Sequence, residues 1–312
     1  MRNAYIESLR KLANDNKNIL ALVSDNGIIV YDKFRKECPE QFVNFGIAEA
    51  TMVGAAAGMA SCGKIPFVYT IIPFLTMRAY EQIRNDVCLQ NQNVKLVGIG
   101  AGLSYSTLGP THHGTEDVSI MRVLPNLSII SPATPLEAVE ATFAAAEIQG
   151  PVYLRLGNYK DYDFYLDKKY KFEFGRALKI AEGTDVTIIA TGSIVAEALI
   201  AGEELQQEGI TLRILNMHTI KPLDHQAIID AAKDTRAILS LEEHSVCGGL
   251  GGAIAESLLE NYHQPVVFAR MGLKGVFGTG YGTYSSLRYD NKLDKESIKL
   301  KIREMIKEKN SL

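Results

Sequence analysis

The sequence has few cysteines, and none is placed as a metal ligand or a disulfide partner would be. The four are Cys38, Cys62, Cys88 and Cys247, scattered without a CxxC pair. Structural zinc sites need cysteines and histidines at short fixed spacings, and disulfide frameworks belong to oxidising compartments. We therefore expect a reduced, cytoplasmic protein with no metal ligands in this chain.

Long apolar runs and an excess of one charge are also absent. The chain has 33 Lys and Arg residues against 36 Asp and Glu residues, and its basic residues are dispersed. No run approaches the roughly 20 apolar residues of a membrane span, and residues 1–20 lack the apolar core of a signal peptide. These absences argue against nucleic acid or a membrane as a partner.

Apolar runs that alternate with helical patterns predict an α/β fold. The length of 312 residues and the 46% hydrophobic content suit two packed domains. The expected buried strands of the first half lie at 19–23, 42–45, 65–70, 94–99, 127–130 and 152–156. Those of the second half lie at 186–190, 212–215, 237–241 and 266–269. Such alternation is typical of doubly wound, mainly parallel sheets.

The domain boundaries follow from a change of character in the middle of the chain. We expect a first domain over 1–156 and a smaller α/β domain over 184–312. Between them, 157–183 mixes aromatic and charged residues without a helical or alternating period. We predict an ordered linker there, crossing the surface with its aromatic side chains packed on the domains.

The stretch 42–63 organises the first domain. A short strand leads through Gly46 into a helix of small and apolar residues, and Glu49 heads the apolar stripe of that helix. Glu49 is either a solvated acid that interacts with the helix dipole or a desolvated acid that shares a proton with a ligand nitrogen. Gly54 and Gly58 imply close packing, within one core or between subunits.

The loop over 100–115 places His112 and His113 after a predicted strand end, where parallel sheets bind ligands. Adjacent histidines do not readily aim at one metal ion, so donation of hydrogen bonds or proton transfer is the better functional interpretation. The alternative is a surface loop with two incidental histidines.

The glycines at 248–252 precede a helix expected over 253–262. Their amides could hold an anion, but such glycines more often allow a helix and a strand to pack closely, and we favour packing. No GxGxxG stands in a dinucleotide-binding context, and no GxxxxGK[ST] occurs.

Five segments in colinear order resemble the C-terminal portion of transketolase, as found in transketolases split into two polypeptides. They are Gly-Ile-Ala-Glu ending at Glu49, the expected helix 74–90 with Arg-Ala-Tyr-Glu-Gln-Ile-Arg, Gly-Pro-Thr-His-His at 109–113, Pro-Val-Tyr-Leu-Arg-Leu-Gly at 151–157, and Glu-His-Ser-Val-Cys-Gly-Gly-Leu-Gly at 243–251.

The resemblance implies a pyrimidine-binding domain for thiamine diphosphate followed by a transketolase-like C-terminal domain. In that family the equivalent of Glu49 holds N1′ of the aminopyrimidine, and Phe74 matches the aromatic residue that stacks on this ring. One extra residue separates Phe74 from Arg78 relative to some members. His112 matches a histidine beside cofactor and substrate, and His113 is a further candidate for contact with the substrate.

The resemblance also implies a missing half. Transketolases bind the diphosphate and Mg²⁺ through a Gly-Asp-Gly motif with a downstream Asn, and this chain has neither; Ser-Asp-Asn-Gly at 24–27 lies in the wrong context. The chain then needs an N-terminal partner subunit, in an assembly such as α2β2 with the active site between subunits. The small-residue face with Gly54 and Gly58 is a candidate contact.

Several positions depart from the family around the substrate. Where transketolases place a Ser, a His and an Arg around the sugar phosphate and an Asp near a hydroxyl, this sequence has Ile28, Gly100, Asn158 and Leu108. These residues lack the donors that a phosphate needs. We predict a sugar whose far end is not an ordinary bound phosphate, with Lys33, Arg155 or Lys160 as replacement cations.

The predicted activity is the transfer of a two-carbon ketol unit from a ketose to an aldose. Two alternatives use the same cofactor on a 2-oxoacid: 1-deoxyxylulose 5-phosphate synthase and the beta subunit of a 2-oxoacid dehydrogenase. A third is a non-catalytic regulatory subunit, against which Glu49 argues.

Overall fold

The computed structural model describes residues 1–158, 164–165, 170–278 and 280–311, with the Ile28 side chain left out. The strands are β1 (Ile19–Val23), β2 (Phe42–Asn44), β3 (Ile65–Ile71), β4 (Lys95–Ile99), β5 (Ser128–Ile130), β6 (Val152–Leu156), β7 (Leu178–Ala181), β8 (Val186–Ala190), β9 (Leu212–Asn216), β10 (Thr219–Lys221), β11 (Ala237–Ser245) and β12 (Val267–Leu273).

The α-helices of the described residues cover the faces of these strands. They are α1 (Arg2–Asp15), α2 (Asp32–Glu37), α3 (Glu49–Ser61), α4 (Tyr80–Gln82), α5 (Asp117–Arg122), α6 (Pro135–Glu147), α7 (Val195–Gln206), α8 (His225–Thr235), α9 (Leu250–Asn261), α10 (Tyr284–Asp290) and α11 (Lys295–Lys309). None of the helices in the described ranges is both long and apolar enough to cross a bilayer.

Two mainly parallel sheets form, which confirms the predicted α/β class. The first has the order β10-β5-β6-β4-β3-β1-β2, and the second has the order β12-β11-β8-β9-β7. Only the edge strands β10 and β7 run antiparallel to their neighbours β5 and β9. Because β10 comes from the second half of the chain, that half completes the first sheet.

The buried strands explain the layered architecture. Every residue of β1, β4, β6 and β8 is buried, as in parallel sheets covered on both faces. One face of the first sheet packs against α1 and α6. The other packs against α3 and the helical stretch that follows β3. The carboxyl ends of β1, β3 and β4 therefore open between these layers, where ligands bind in such sheets.

The single helix expected over 74–90 is wrong in detail. The chain instead forms a π-helical segment Phe74–Arg78, the short α4, and a second π-helical segment Ile83–Cys88. A π-helix spans one more residue per hydrogen-bonded turn than an α-helix. The first segment covers the stretch from Phe74 to Arg78, for which the resemblance implies one extra residue.

Four other elements were not predicted, and α9 begins earlier than expected. The unpredicted elements are α2, α10, β7 and β10, of which β7 lies inside the expected linker. The short β7 is only partly buried and lies at a sheet edge, so it lacks a continuous apolar run. The linker residues 159–163 and 166–169, with Lys160, lie outside the described residues.

Candidate active site

Glu49 stands at the first position of α3, directly above the end of β1. The turn before it is fixed by Ser24, whose Oγ donates to the Gly46 carbonyl at 2.6 Å and accepts from the Ala48 amide at 3.1 Å. The Glu49 side chain is only 5% exposed. It therefore matches the desolvated alternative and not the solvated first-turn acid.

The apolar stripe below Glu49 faces the core as predicted. Met52, Val53 and Ala56 are fully buried between α3 and the sheet. The neighbouring small-residue face is open, because a Cβ at Gly58 would meet no described atom within 4 Å. A Cβ at Gly54 would meet only Asp86 Oδ2, at 3.7 Å. Packing among the residues that the structure describes does not account for these two glycines.

Arg78 and Phe74 form the outer part of the Glu49 environment. Nη1 of Arg78 lies 3.3 Å from Oε1 of Glu49 and 3.5 Å from Oε2. The same guanidinium stands 3.9 Å from the centroid of the Phe74 ring. Because Arg78 is half exposed while Glu49 is buried, the arginine separates a desolvated carboxylate from solvent.

His112 completes this patch. Its ring centroid lies 5.1 Å from that of Phe74 in an edge-to-face contact, and its Nδ1 lies 2.9 Å from the Thr111 hydroxyl. The side chain is partly exposed. The fold thus brings together Glu49, Phe74 and His112, which come from three separate segments.

His113 points away from this patch into the interior. It is 2% exposed, and neither ring nitrogen meets a described partner at normal hydrogen-bond geometry. A Cβ added at Gly278 would stand 2.9 Å from its Nδ1, so the loop after β12 packs directly on the imidazole. Burial lowers the pKa of His113, and the negative charge of Glu243 opposes this shift. Its surroundings are those of a neutral core histidine.

The loop after β4 gathers three of the positions predicted near the substrate. A Cβ at Gly100 would lie 2.3 Å from the Tyr105 ring. The Leu108 amide donates to the Tyr105 carbonyl at 2.9 Å, and Leu108 is 45% exposed. The Asn158 amide lies 3.4 Å from the Ser104 hydroxyl of the same loop. Ile28 lies in the helical turn Ile28–Tyr31, and its side chain is not described.

Arg155 has structural partners. It is 3% exposed, and its Nε donates to Asp117 Oδ2 at 2.8 Å. Its Nη2 donates to the carbonyls of Gly114 and Glu243 at 2.7 and 3.1 Å. These contacts hold the guanidinium inside the fold. Lys33 is 64% exposed and lies 3.9 Å from Glu7.

The Glu-Glu-His run at the end of β11 joins elements of both sheets. Glu242 accepts from the amides of Leu250 and Gly251 at 2.7 and 2.8 Å, and so caps α9. His244 Nε2 accepts from the Val118 amide at 3.1 Å, at the start of α5. Because the Glu242 carboxylate already occupies the N-terminus of α9, the glycines there serve close packing. The helix begins at Leu250.

Two residues beside the site were missed from the sequence. Tyr105 has its ring 6.3 Å from that of His112, edge to face. Burial raises the pKa of Tyr105, and the positive charge of Arg2 nearby opposes this rise. Arg2 is partly exposed at the start of α1. No local pattern marks either residue, since their neighbourhood arises only when α1 packs beside the loop after β4.

Comparison with known proteins agrees with this geometry. Residues 1–159 match the transketolase pyrimidine-binding domain, and residues 175–298 match the transketolase C-terminal domain. The chain belongs to the transketolase family. A solved split-gene transketolase, described as an inactive beta4 tetramer, shares its fold with a TM-score of 0.90 at 38% identity over 98% of each chain.

Two transketolase relatives cover most of both chains. One of the subunits of the apulose-4-phosphate transketolase of Phocaeicola vulgatus is 38% identical over 83% of this chain and 84% of the relative. A 6-deoxy-6-sulfo-D-fructose transketolase subunit of a Clostridium species is 39% identical over 89% of this chain and 86% of the relative. The chain is thus similar to separate transketolase subunits named for different sugars.

Proposed function

We propose that this chain is the C-terminal subunit of a thiamine diphosphate-dependent transketolase, which moves a two-carbon ketol unit from a ketose to an aldose. The observation that carries the proposal is the buried carboxylate of Glu49 beside Phe74 and His112. A desolvated carboxylate requires a good hydrogen-bond partner. The described contact with Arg78 is long, at 3.3 and 3.5 Å, so a ligand nitrogen would fit there.

The residues present suit the aminopyrimidine end of the cofactor. Glu49 would hold a proton at N1′, Phe74 would stack on the ring, and His112 would donate to reacting oxygens on the exposed side. Arg78 now lies over the Phe74 ring, so it would give up this position to the pyrimidine. Thiamine diphosphate, when bound, supplies a thiazolium that accepts the electrons released on carbon–carbon cleavage.

An N-terminal partner subunit would supply the diphosphate and Mg²⁺ sites. Within the described ranges, no group of three His, Cys, Asp or Glu side chains is arranged to hold a metal ion. Both named relatives are transketolase subunits. We propose a partner with a Gly-Asp-Gly motif and a downstream Asn, in an assembly such as α2β2 that places the active site between subunits.

The small-residue face of α3 would form part of this assembly. Gly58 is exposed in the middle of the helix with no described neighbour, although glycine there costs about 1 kcal/mol relative to alanine. Ile47, just before the helix, is 78% exposed. An apolar, side-chain-poor surface at the edge of the site suits a closely packed subunit contact.

The far end of the sugar would differ from an ordinarily bound phosphate. Gly100, Leu108 and Asn158 offer few donors, and Arg155 is committed to Asp117. Arg2 is a partly exposed cation near Tyr105. We therefore propose a ketose whose terminal group is held by fewer charges than a phosphate dianion requires.

The test compares two first-turn glutamates that differ in burial. Glu49→Gln and Glu296→Gln are made in the chain co-purified with the partner subunit. Thiamine diphosphate binding with Mg²⁺ is followed by calorimetry, and ketol transfer from hydroxypyruvate by product formation. Because Glu49 would hold the N1′ proton, its variant should lose about 10²–10⁴-fold in kcat. Glu296, on the surface of α11, should tolerate the change.

Two outcomes would contradict the proposal. Wild-type activity in the Glu49→Gln complex would make Glu49 structural and would favour a non-catalytic subunit. Turnover of pyruvate with release of carbon dioxide, in place of ketol transfer, would favour the 2-oxoacid enzymes.

A further inference from the structure

Tyr105 and Gly100 are fitted to each other in the loop after β4. A Cβ built on Gly100 would lie 2.3 Å from both Cδ2 and Cε2 of Tyr105, and real Cβ atoms do not come this close to another carbon. Gly100 also has φ +97°, which disfavours other residues. The Tyr105 ring therefore fills the volume that any side chain at residue 100 would need.

A series of side-chain contacts leads from the buried carboxylate of Glu49 to the Tyr105 ring. Glu49 contacts Arg78, Arg78 covers Phe74, and Phe74 meets His112 at 5.1 Å between ring centroids. Tyr105 follows at 6.3 Å from His112. If the ketose carbonyl sits near His112, its remaining carbons extend towards Tyr105.

The Tyr105 hydroxyl stays a hydrogen-bond donor at neutral pH. The Tyr105 side chain is partly exposed and packs against the core between the first sheet and helices α1 and α6. Burial raises its pKa. Transketolases place a histidine where this sequence has Gly100, and the Tyr105 side chain, unlike a histidine, cannot become a cation. A neutral donor binds a hydroxyl or a monoanion well, but it adds no charge to balance a dianion.

We infer that Tyr105 is a specificity-determining residue for the distal end of the ketose donor, and that it selects terminal groups carrying at most one negative charge. This inference rests on the proposed transketolase activity. The ring sets the depth of the distal subsite, and the hydroxyl donates to the terminal group. A sulfonate and a plain hydroxyl share this chemistry, whereas a phosphate dianion does not.

The experiment measures kcat/KM of the assembled enzyme for four donors. Hydroxypyruvate has no distal end, and fructose, 6-deoxy-6-sulfofructose and fructose 6-phosphate differ only at the terminal group. Wild type, Tyr105→Phe, Tyr105→Ala and the control Tyr262→Phe are compared. Tyr262 is a partly buried tyrosine that lies 3.4 Å from the Ala232 carbonyl in the other half of the chain.

We expect wild type to prefer the sulfonated or the unmodified ketose to the phosphorylated one, and the preferred donor then identifies the terminal group. Tyr105→Phe should lower kcat/KM for that donor about tenfold, as expected for one lost hydrogen bond, and change it for hydroxypyruvate less than twofold. Tyr105→Ala should lower it further, and Tyr262→Phe should change neither.

The failures are distinguishable. No turnover of hydroxypyruvate by wild type refutes the proposed function, and this inference with it. Turnover by wild type with unaltered Tyr105 variants refutes the inference alone. Equal losses on hydroxypyruvate and on the longer donor would make Tyr105 structural, and a wild-type preference for fructose 6-phosphate would overturn the charge assignment.

Discussion

Removal of the charge at Asp117 should destabilise the fold strongly, because this residue holds a buried cation. Asp117 is fully buried, and its Oδ2 accepts from Arg155 Nε at 2.8 Å and from the Tyr153 hydroxyl at 2.7 Å. Arg155 is 3% exposed and also binds carbonyls of the loop before α5 and of β11. The pair therefore ties the first sheet to the second.

The magnitude follows from burial. Removal of one partner of a buried ion pair costs about 3–5 kcal/mol, because the other charge stays desolvated. Asparagine keeps the shape and one acceptor, so Asp117→Asn should lose about 3 kcal/mol. At roughly 2–4 °C per kcal/mol for chains of this class, Tm should fall by about 6–12 °C. The exposed pair of Glu208 and Arg303 is the control, and Glu208→Gln should leave the stability almost unchanged, because solvent screens exposed ion pairs.

A double-mutant cycle isolates the interaction. In Asp117→Asn with Arg155→Met neither charge remains buried, so the double variant should lose about 2 kcal/mol less than the sum of the single losses. Urea unfolding followed by circular dichroism at a fixed protomer concentration measures all four proteins. A loss below about 1 kcal/mol for Asp117→Asn, or strict additivity, would refute this account.

The cycle also decides what Arg155 does. If it is a structural tie, Arg155→Met lowers stability while the folded complex keeps its KM for the ketose. If it binds substrate, as the sequence alone suggests, KM rises for the ketose without a matching loss of stability.

Two further changes test the packing described above. Burial lowers the pKa of His218 to about 4, whereas the pKa of a histidine in the unfolded chain is about 6.5, so the unfolded chain binds more protons between these two pH values. The free energy of unfolding should therefore fall by about 3 kcal/mol as the pH drops from about 6.5 to 4. In urea titrations, His218→Gln should flatten this pH dependence, whereas the control His263→Gln, at an exposed histidine, should not. Gly251→Ala places a Cβ 2.5 Å from Ser240 Oγ and should lower the free energy of unfolding by about 1–3 kcal/mol. Gly58→Ala should stabilise the isolated chain by up to about 1 kcal/mol but weaken its assembly with the partner, as measured by thermal unfolding and by sedimentation. Unchanged stability of Gly251→Ala, or a less stable isolated Gly58→Ala chain, would contradict this reasoning.

The strands that the sequence predicted at their observed bounds are the central ones. The runs 19–23, 152–156 and 186–190 are buried on both faces, so their ends coincide with the ends of apolar runs. The edge strands β7 and β10 were not predicted from the sequence. Each has only three or four residues and pairs with one neighbouring strand, so it needs no continuous apolar pattern. Tertiary pairing, and not local propensity, decides whether such segments become strands.

Within the site, the structure brings together predicted residues whose segments carry their own pattern. Glu49 heads an apolar stripe, and Phe74 and His112 belong to segments that resemble a known family. The buried contacts of Arg155 were not foreseen, because its partner Asp117 lies 38 residues away and alternation along a strand does not reveal what a buried side chain meets. Tyr105 carries no signal of its own, since its place beside the site depends on the space that Gly100 leaves for its ring.

The densest cluster of ionisable residues in this chain has a structural explanation. Glu242 caps α9, Glu243 accepts from Arg288 and from the Tyr284 hydroxyl, and His244 accepts from amides of α5. A run of two acids and a histidine at a strand end is typical of catalysis, yet each polar group here meets a partner inside the fold. Phe74, Arg78, Tyr105 and His112, by contrast, are at least partly open to solvent. Because buried polar groups without partners are costly, we propose that the polar groups left open here meet the partner subunit and the substrate.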